Sequence, residues 1–209
     1  MNTLFIDRST DKGSLALVKD GVVVASAELN SVGINSGAWV SEVRAFLADA
    51  SLDGIVVGTG PGSFAGIRAA LAFAQGYAIG SACTVKGLPS PCAFAPTEGP
   101  LAVVGDARRG KYWVALFDGP KLVTNIFQVD GEMLHLRVPI GVKVVTPDAA
   151  RIESLLKETF GSDYAGGVCP TASALAAAAL ANPSFLVSEP LHVYLKQAVL
   201  DNYFYYDII

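Results

Sequence analysis

The run Gly58-Thr59-Gly60-Pro61-Gly62-Ser63-Phe64-Ala65-Gly66-Ile67-Arg68 holds four glycines in eleven positions and ends in a basic residue. Glycines allow a tight backbone, and Ser63 stands where a helix cap accepts a backbone N–H. Free amides at a helix start can hold an anion. A nucleotide-binding P-loop needs a Gly-Lys-Ser/Thr ending, whereas the nearest base here, Arg68, lies a turn inside the helix. On residue types alone two readings stand: an anion cradle, or a tight strand-to-helix turn with no ligand.

Three other groups invite chemistry. Asp7, in Ile6-Asp7-Arg8-Ser9-Thr10, sits where an ATP-using fold places a magnesium-organising acid, but the glycine that lets phosphate approach is missing. Asp106-Ala107-Arg108-Arg109-Gly110 reads as a hairpin turn offering a ligand or partner contact. The alternative is a solvated turn in which Asp106 bonds nearby backbone. The two histidines, His135 and His192, are far apart, so the paired imidazoles of a zinc hydrolase are not present.

The elements that must position these groups follow from periodicity. Leu4–Ile6, Ser14–Val18 and Val22–Ala25 read as a three-stranded meander, with Asp20-Gly21 as a two-residue hairpin. Between Ser36 and Ala50 the residues Trp39, Val43, Phe46 and Leu47 recur at helical spacing. Asp53–Gly58 is a buried strand feeding the glycine loop, and Phe64–Ile79 is a helix. That helix is apolar nearly all round with Arg68 its only charge, which places it in a core or an interface; for a domain this size a partner surface is favoured. Farther on, Leu101–Gly105, Lys111–Phe117 and Leu122–Val129 read as a second meander, with helices from the Thr146–Asp148 cap to Phe160 and over Thr171–Leu180. Meander plus helices, twice, predicts two related α/β lobes, at residues 1–100 and, reduced, at 101–209.

Composition closes off other classes. Of 209 residues 52% are apolar and 16% charged, so the chain is not disordered. A net charge of −4 does not suit a protein that grips nucleic acid by itself. Three cysteines without C-x-x-C spacing point to a reducing compartment. The start lacks the basic region of a signal peptide, and the most apolar window, Phe64–Val85, is broken by Arg68, Gln75 and glycines. A cytoplasmic location without a membrane span is expected. The tail Asp201–Ile209 carries four consecutive aromatics, expected to pack on its own lobe or a neighbouring subunit.

The loop from Gly58 to Arg68, the opening Ile6-Asp7-x-Ser-Thr10, Asp106-Ala-Arg-Arg-Gly110 and the close Pro190-Leu-His-Val-Tyr-Leu-Lys196 together resemble the TsaB (YeaZ) family. The resemblance runs from Leu4 to about Lys196. It implies a two-lobed fold of the actin, sugar kinase and Hsp70 type. It also implies a role in making N6-threonylcarbamoyladenosine (t6A) on tRNA, as a non-catalytic partner of the transferase TsaD. TsaE joins the complex, TsaC-type enzymes supply the activated intermediate, and tRNA is met mainly through the complex. Members use their first two helices to pair with TsaD, or with themselves when TsaD is absent. Here that implies an interface of Trp39, Val43, Phe46, Leu47, Ile67, Leu71 and Ala74, with Leu71→Asp expected to abolish pairing while the chain stays folded. No resident cofactor or metal is expected; an ATP-binding, kinase-like enzyme is the alternative. The chain departs from the family pattern at Ala65, where a threonine is usual, at Arg8, where a small hydroxyl residue is common, and at Asn35-Ser36-Gly37 before the first helix.

Overall fold

The computed structural model describes residues 1–29, 37–48 and 50–188. The Asn35–Ser36 pair, the Pro190–Lys196 run and the aromatic tail lie outside them. The described chain divides into two units, the first made of Met1–Ala93 and the segment from Pro170, the second of Phe94–Cys169.

In the first unit β1 (Asn2–Asp7), β2 (Ser14–Lys19) and β3 (Val22–Glu28) form the antiparallel meander. Asp20 and Gly21 take φ of 49° and 80°, the left-handed pair that a two-residue hairpin requires. Helix α1 (Ala38–Leu47) leads to β4 (Gly54–Gly58), α2 (Phe64–Ile79) and β5 (Thr84–Leu88). β4 and β5 add in parallel beside β1, giving the order β3-β2-β1-β4-β5. Parallel pairing requires a crossover, and α2 is that crossover. It packs on β4, β5 and β1. Leu4, Ile6, Leu15, Ile55 and Val57 from the sheet and Val43, Ile67 and Leu71 from the helices are all buried.

The second unit repeats the plan. β6 (Pro100–Arg108) and β7 (Lys111–Asp118) form its hairpin, extended by β8 (Lys121–Leu122) and β9 (Phe127–Asp130). After the short α3 (Leu134–Arg137), β10 (Lys143–Thr146) pairs in parallel with β6, and α4 (Ala149–Phe160) crosses to β11 (Tyr164–Gly167). The order β11-β10-β6-β7-β8 mirrors that of the first sheet. Val104, Val114, Leu134, Val144, Ile152 and Leu156 form its core.

Two expectations change here. The strand read over Leu122–Val129 is two short strands, both on β7. Helix α5 (Ala172–Ala181), capped by Thr171, belongs to the first unit although it was read into the second lobe. It packs on β2, β1 and β3, and the Ala172 amide donates to Ser14 Oγ of β2 at 2.8 Å. An alanine-rich helix presents a smooth face that suits close approach to a sheet, and nothing in its own sequence says which sheet. No helix among the described residues is long and apolar enough to cross a membrane.

Candidate functional site

The glycine loop closes onto the residues that follow β1. Asp7 is wholly buried at the end of that strand. One carboxylate oxygen accepts from the Ser9 amide at 2.9 Å and the Ser9 hydroxyl at 2.7 Å; the other accepts from Ser90 Oγ at 2.6 Å. Ser90 Oγ accepts in turn from the Gly60 amide at 3.0 Å, and the Ser63 amide donates to the Ser9 carbonyl at 2.6 Å. Asp7 thus ties β1, the glycine loop and the turn after β5 into one buried network.

The glycine spacing records this packing. A Cβ at Gly62 would overlap the Ser9 carbonyl oxygen, and one at Gly66 the Arg8 carbonyl oxygen. Neither obstacle is the movable end of a side chain. A Cβ at Gly58 would strike the Asp7 carboxylate. The peptide Gly60-Pro61 is cis, and Ser63 caps α2 by accepting from the Gly66 amide at 3.3 Å. Gly62 and Gly66 therefore let one backbone lie against another, and Gly58 makes room for the Asp7 carboxylate; the three do not face outward as a cradle.

This decides between the readings left open by the sequence. The fold would admit a nucleotide, with Asp7 as its magnesium acid. Both Asp7 oxygens are occupied by protein donors, the carboxylate has no exposure, and the backbone after it is covered by the glycine loop. These residues do not fit a magnesium–phosphate group. Among the described residues no cluster of three or more His, Cys, Asp or Glu side chains is placed to hold a metal ion.

Burial pushes the Asp7 carboxyl above its ordinary range, against the downward pull of its hydrogen bonds from Ser90 and Ser9. The native state therefore holds this proton more tightly than the unfolded chain. That stabilisation is complete below the ordinary aspartate pKa and is lost as pH rises through the raised one. Asp7→Asn should flatten the fall in stability above the ordinary range, read as the difference between the denaturation midpoints of the two proteins from pH 4 to 8. Equal slopes would contradict the placement of Asp7. Asp148, also raised by burial, contributes to both proteins and cancels in the comparison.

Arg8, which the sequence marks only as a departure from the family pattern, joins the loop to the helices. Its guanidinium lies over the Trp39 ring of α1, 4.5 Å from the centroid, while its carbonyl meets Gly66 of α2. Trp39 packs edge-on against Phe73 of α2 at 5.4 Å. Burial lowers the Arg8 pKa, and the Glu42 carboxylate of α1 opposes that. The residue that departs from the family pattern thus bridges the loop to both helices.

The helices expose a different face from the one the resemblance implied. Trp39, Val43, Leu47, Ile67, Leu71 and Ala74 are buried within the unit, Trp39 and Leu47 at 5% and 8% exposure and the other four at 2% or less; Phe46 is half-buried. On α2 this stripe meets the sheet, and on α1 Trp39 meets Phe73 of α2. Outward on α2 stand Phe64, Arg68, Ala72, Gly76 and Ile79, and on α1 Ala38, Ser41, Arg44 and Ala45. Phe64 is 53% and Ile79 89% exposed, and the Arg68 guanidinium rests 5.1 Å from the Phe64 ring centroid.

In the second unit Asp106 is held in its own hairpin. It accepts from the Arg108 amide at 2.8 Å and from Arg151 Nε at 2.9 Å, while its amide donates to Asp148 at 2.8 Å. Asp148 is also paired with Arg151. Arg108, at φ 70°, pairs with Asp106 at 3.3 Å, and Arg109, at φ 56°, is exposed at the tip. This network fastens the hairpin to the start of α4. The sequence marks Asp148 only as a candidate helix cap and gives no sign of Arg151 or of their shared partner, which lies some forty residues away.

Two sheets of matching order, each a meander extended by parallel strands across a helix, define an α/β protein of the actin-like kinase fold. The structure is similar to YeaZ from Pseudomonas aeruginosa, with a TM-score of 0.71 at 21% identity over 90% of this chain and 96% of that one. It is also similar to the ethanolamine utilization protein EutJ from Carboxydothermus hydrogenoformans, with a TM-score of 0.50 at 13% identity over 85% and 90%. Residues 44–145 match the family described as TsaD: tRNA N6-adenosine threonylcarbamoyltransferase. An uncharacterized protein of Mycobacterium tuberculosis is 36% identical over 129 residues, 57% of this chain and 61% of that protein. The tRNA threonylcarbamoyladenosine biosynthesis protein TsaB of Escherichia coli is 30% identical over 133 residues, 54% of each. The matched part of the chain thus spans between half and two thirds of these relatives. Over these spans the chain is similar to the TsaB (YeaZ) proteins and to the TsaD family model.

Proposed function

We propose that this protein is a non-catalytic subunit of the cytoplasmic machinery that places t6A on tRNA, where it docks on the transferase TsaD and activates it within a complex that includes TsaE. The observation that carries this reading is the use of the glycine loop. Its amides and glycines, with Asp7, are taken up in bracing α1 and α2, and the exposed feature that results is the outward side of those helices. A brace beneath an apolar helix face suits docking rather than turnover. The name of the E. coli relative and the TsaD-family match support the process; the enclosure of Asp7 weighs against the kinase-like alternative. Contact with tRNA then falls chiefly to the partners, in keeping with the net charge of −4.

The test is t6A formation on tRNA reconstituted from TsaC, TsaD and TsaE of one organism, with and without this chain. Product that requires the chain is expected. Product formed equally well without it would sink the proposal.

A further inference from the structure

Helix α1 has little of its own to hold its first turn. Gly37 at its N-cap makes no side-chain bond to the free amides, and no acidic residue stands in that turn to oppose the positive end of the helix dipole. The turn is held instead through Trp39, the second residue of the helix, which is buried. The indole meets Phe73 of α2 edge-on at 5.4 Å, and the Arg8 guanidinium lies 4.5 Å from its centroid. A cation beside a helix start is disfavoured by the dipole, so the helix does not draw Arg8 there. The Arg8 backbone is placed by the sheet: it follows β1 directly, between Asp7 and Ser9 of the buried network, and its carbonyl abuts Gly66. Glu42 of α1 offers the guanidinium an opposite charge.

Resting on the reading of TsaD as partner, we propose that Arg8 is a positioning residue: its guanidinium pins Trp39, sets the start of α1 against α2, and so holds the two helices in the relation that a docked partner requires. A guanidinium is planar and stacks on an aromatic face, where an ammonium presents only a point charge. Val43 and Leu47, both buried, keep the rest of α1 on the unit. Loss of the stack therefore loosens the first turn of α1 and leaves the unit folded.

The full chain is compared with Arg8→Met, which keeps an apolar stem and drops the charge, and with Arg8→Lys, which keeps the charge without the plane. Amide hydrogen exchange in Arg8→Met should quicken in Ala38–Leu47 and stay unchanged in Phe64–Ile79 and Lys111–Asp118. Affinity for purified TsaD should fall roughly tenfold with a thermal midpoint near that of wild type, and Arg8→Lys should recover part of the loss. In a Trp39→Phe background the same Arg8→Met change should cost less affinity, because the two residues act through one contact. Unchanged exchange in α1 would overturn the proposal. Faster exchange in α1 with TsaD affinity unaltered would overturn it too, since the stack would then serve the fold alone. So would faster exchange across both helices with a lowered midpoint, which assigns Arg8 to general stability. A wild-type chain that fails to bind TsaD would overturn the partner reading instead, while the exchange data still decide whether Arg8 sets α1.

Discussion

Leu71→Asp is expected to unfold the first unit, not merely to prevent pairing. Leu71 is 1% exposed among Ile67, Ala70 and Ala74, on the side of α2 that meets the sheet. Removing a buried leucine forfeits about 1.5–3 kcal/mol of burial, and an ionised carboxylate in its place adds a penalty of several kcal/mol. Against a typical domain stability of about 5–15 kcal/mol, that sum leaves little or no native protein. Circular dichroism should show loss of the cooperative melt. Ala72→Asp, one residue on but exposed, should melt like wild type and lose only docking. A folded Leu71→Asp variant would mean that α2 is rotated from the placement described.

Gly66→Ala is the second large effect, and its sign is the informative part. Within a helix, glycine to alanine ordinarily stabilises by about 1 kcal/mol. At Gly66 the added methyl would overlap the Arg8 carbonyl oxygen, a backbone atom fixed at the end of β1. Forced overlap in packed structure costs about 1–3 kcal/mol and displaces backbone, so a net loss is expected, with α2 moved off the Arg8–Trp39 stack. Gly76→Ala in the same helix has open space around it and should gain about 0.5–1 kcal/mol. Urea denaturation of the two variants should therefore give shifts of opposite sign. Two stabilising substitutions would remove the explanation of the glycine spacing.

The sequence carried the local elements well because their signals are local. Asp20-Gly21 marked its hairpin, Ser63 its cap, and the run Phe64–Ile79 its helix with the bounds the structure has. What it did not carry is orientation. Helix α2 is apolar nearly all round, so periodicity cannot tell its inward stripe from its outward one, and the residues expected at an interface are, Phe46 apart, buried within the unit. β5, with Lys86 and Gly87 between Val85 and Leu88, has neither alternation nor a continuous apolar run and was not read as a strand. The site's key contacts are long-range: Ser90 reaches Asp7 across 83 residues, and Gly66 answers to a carbonyl at Arg8. The glycine motif was legible as special; what made it special was the backbone it lies against.

Amide hydrogen exchange on this chain, free and saturated with TsaD, tests the central claim most directly. Docking on the outward helix face predicts added protection in Ala38–Leu47 and Phe64–Ile79, with the Asp106–Lys111 hairpin unchanged. Protection confined to that hairpin, or absent from both helices, would contradict it.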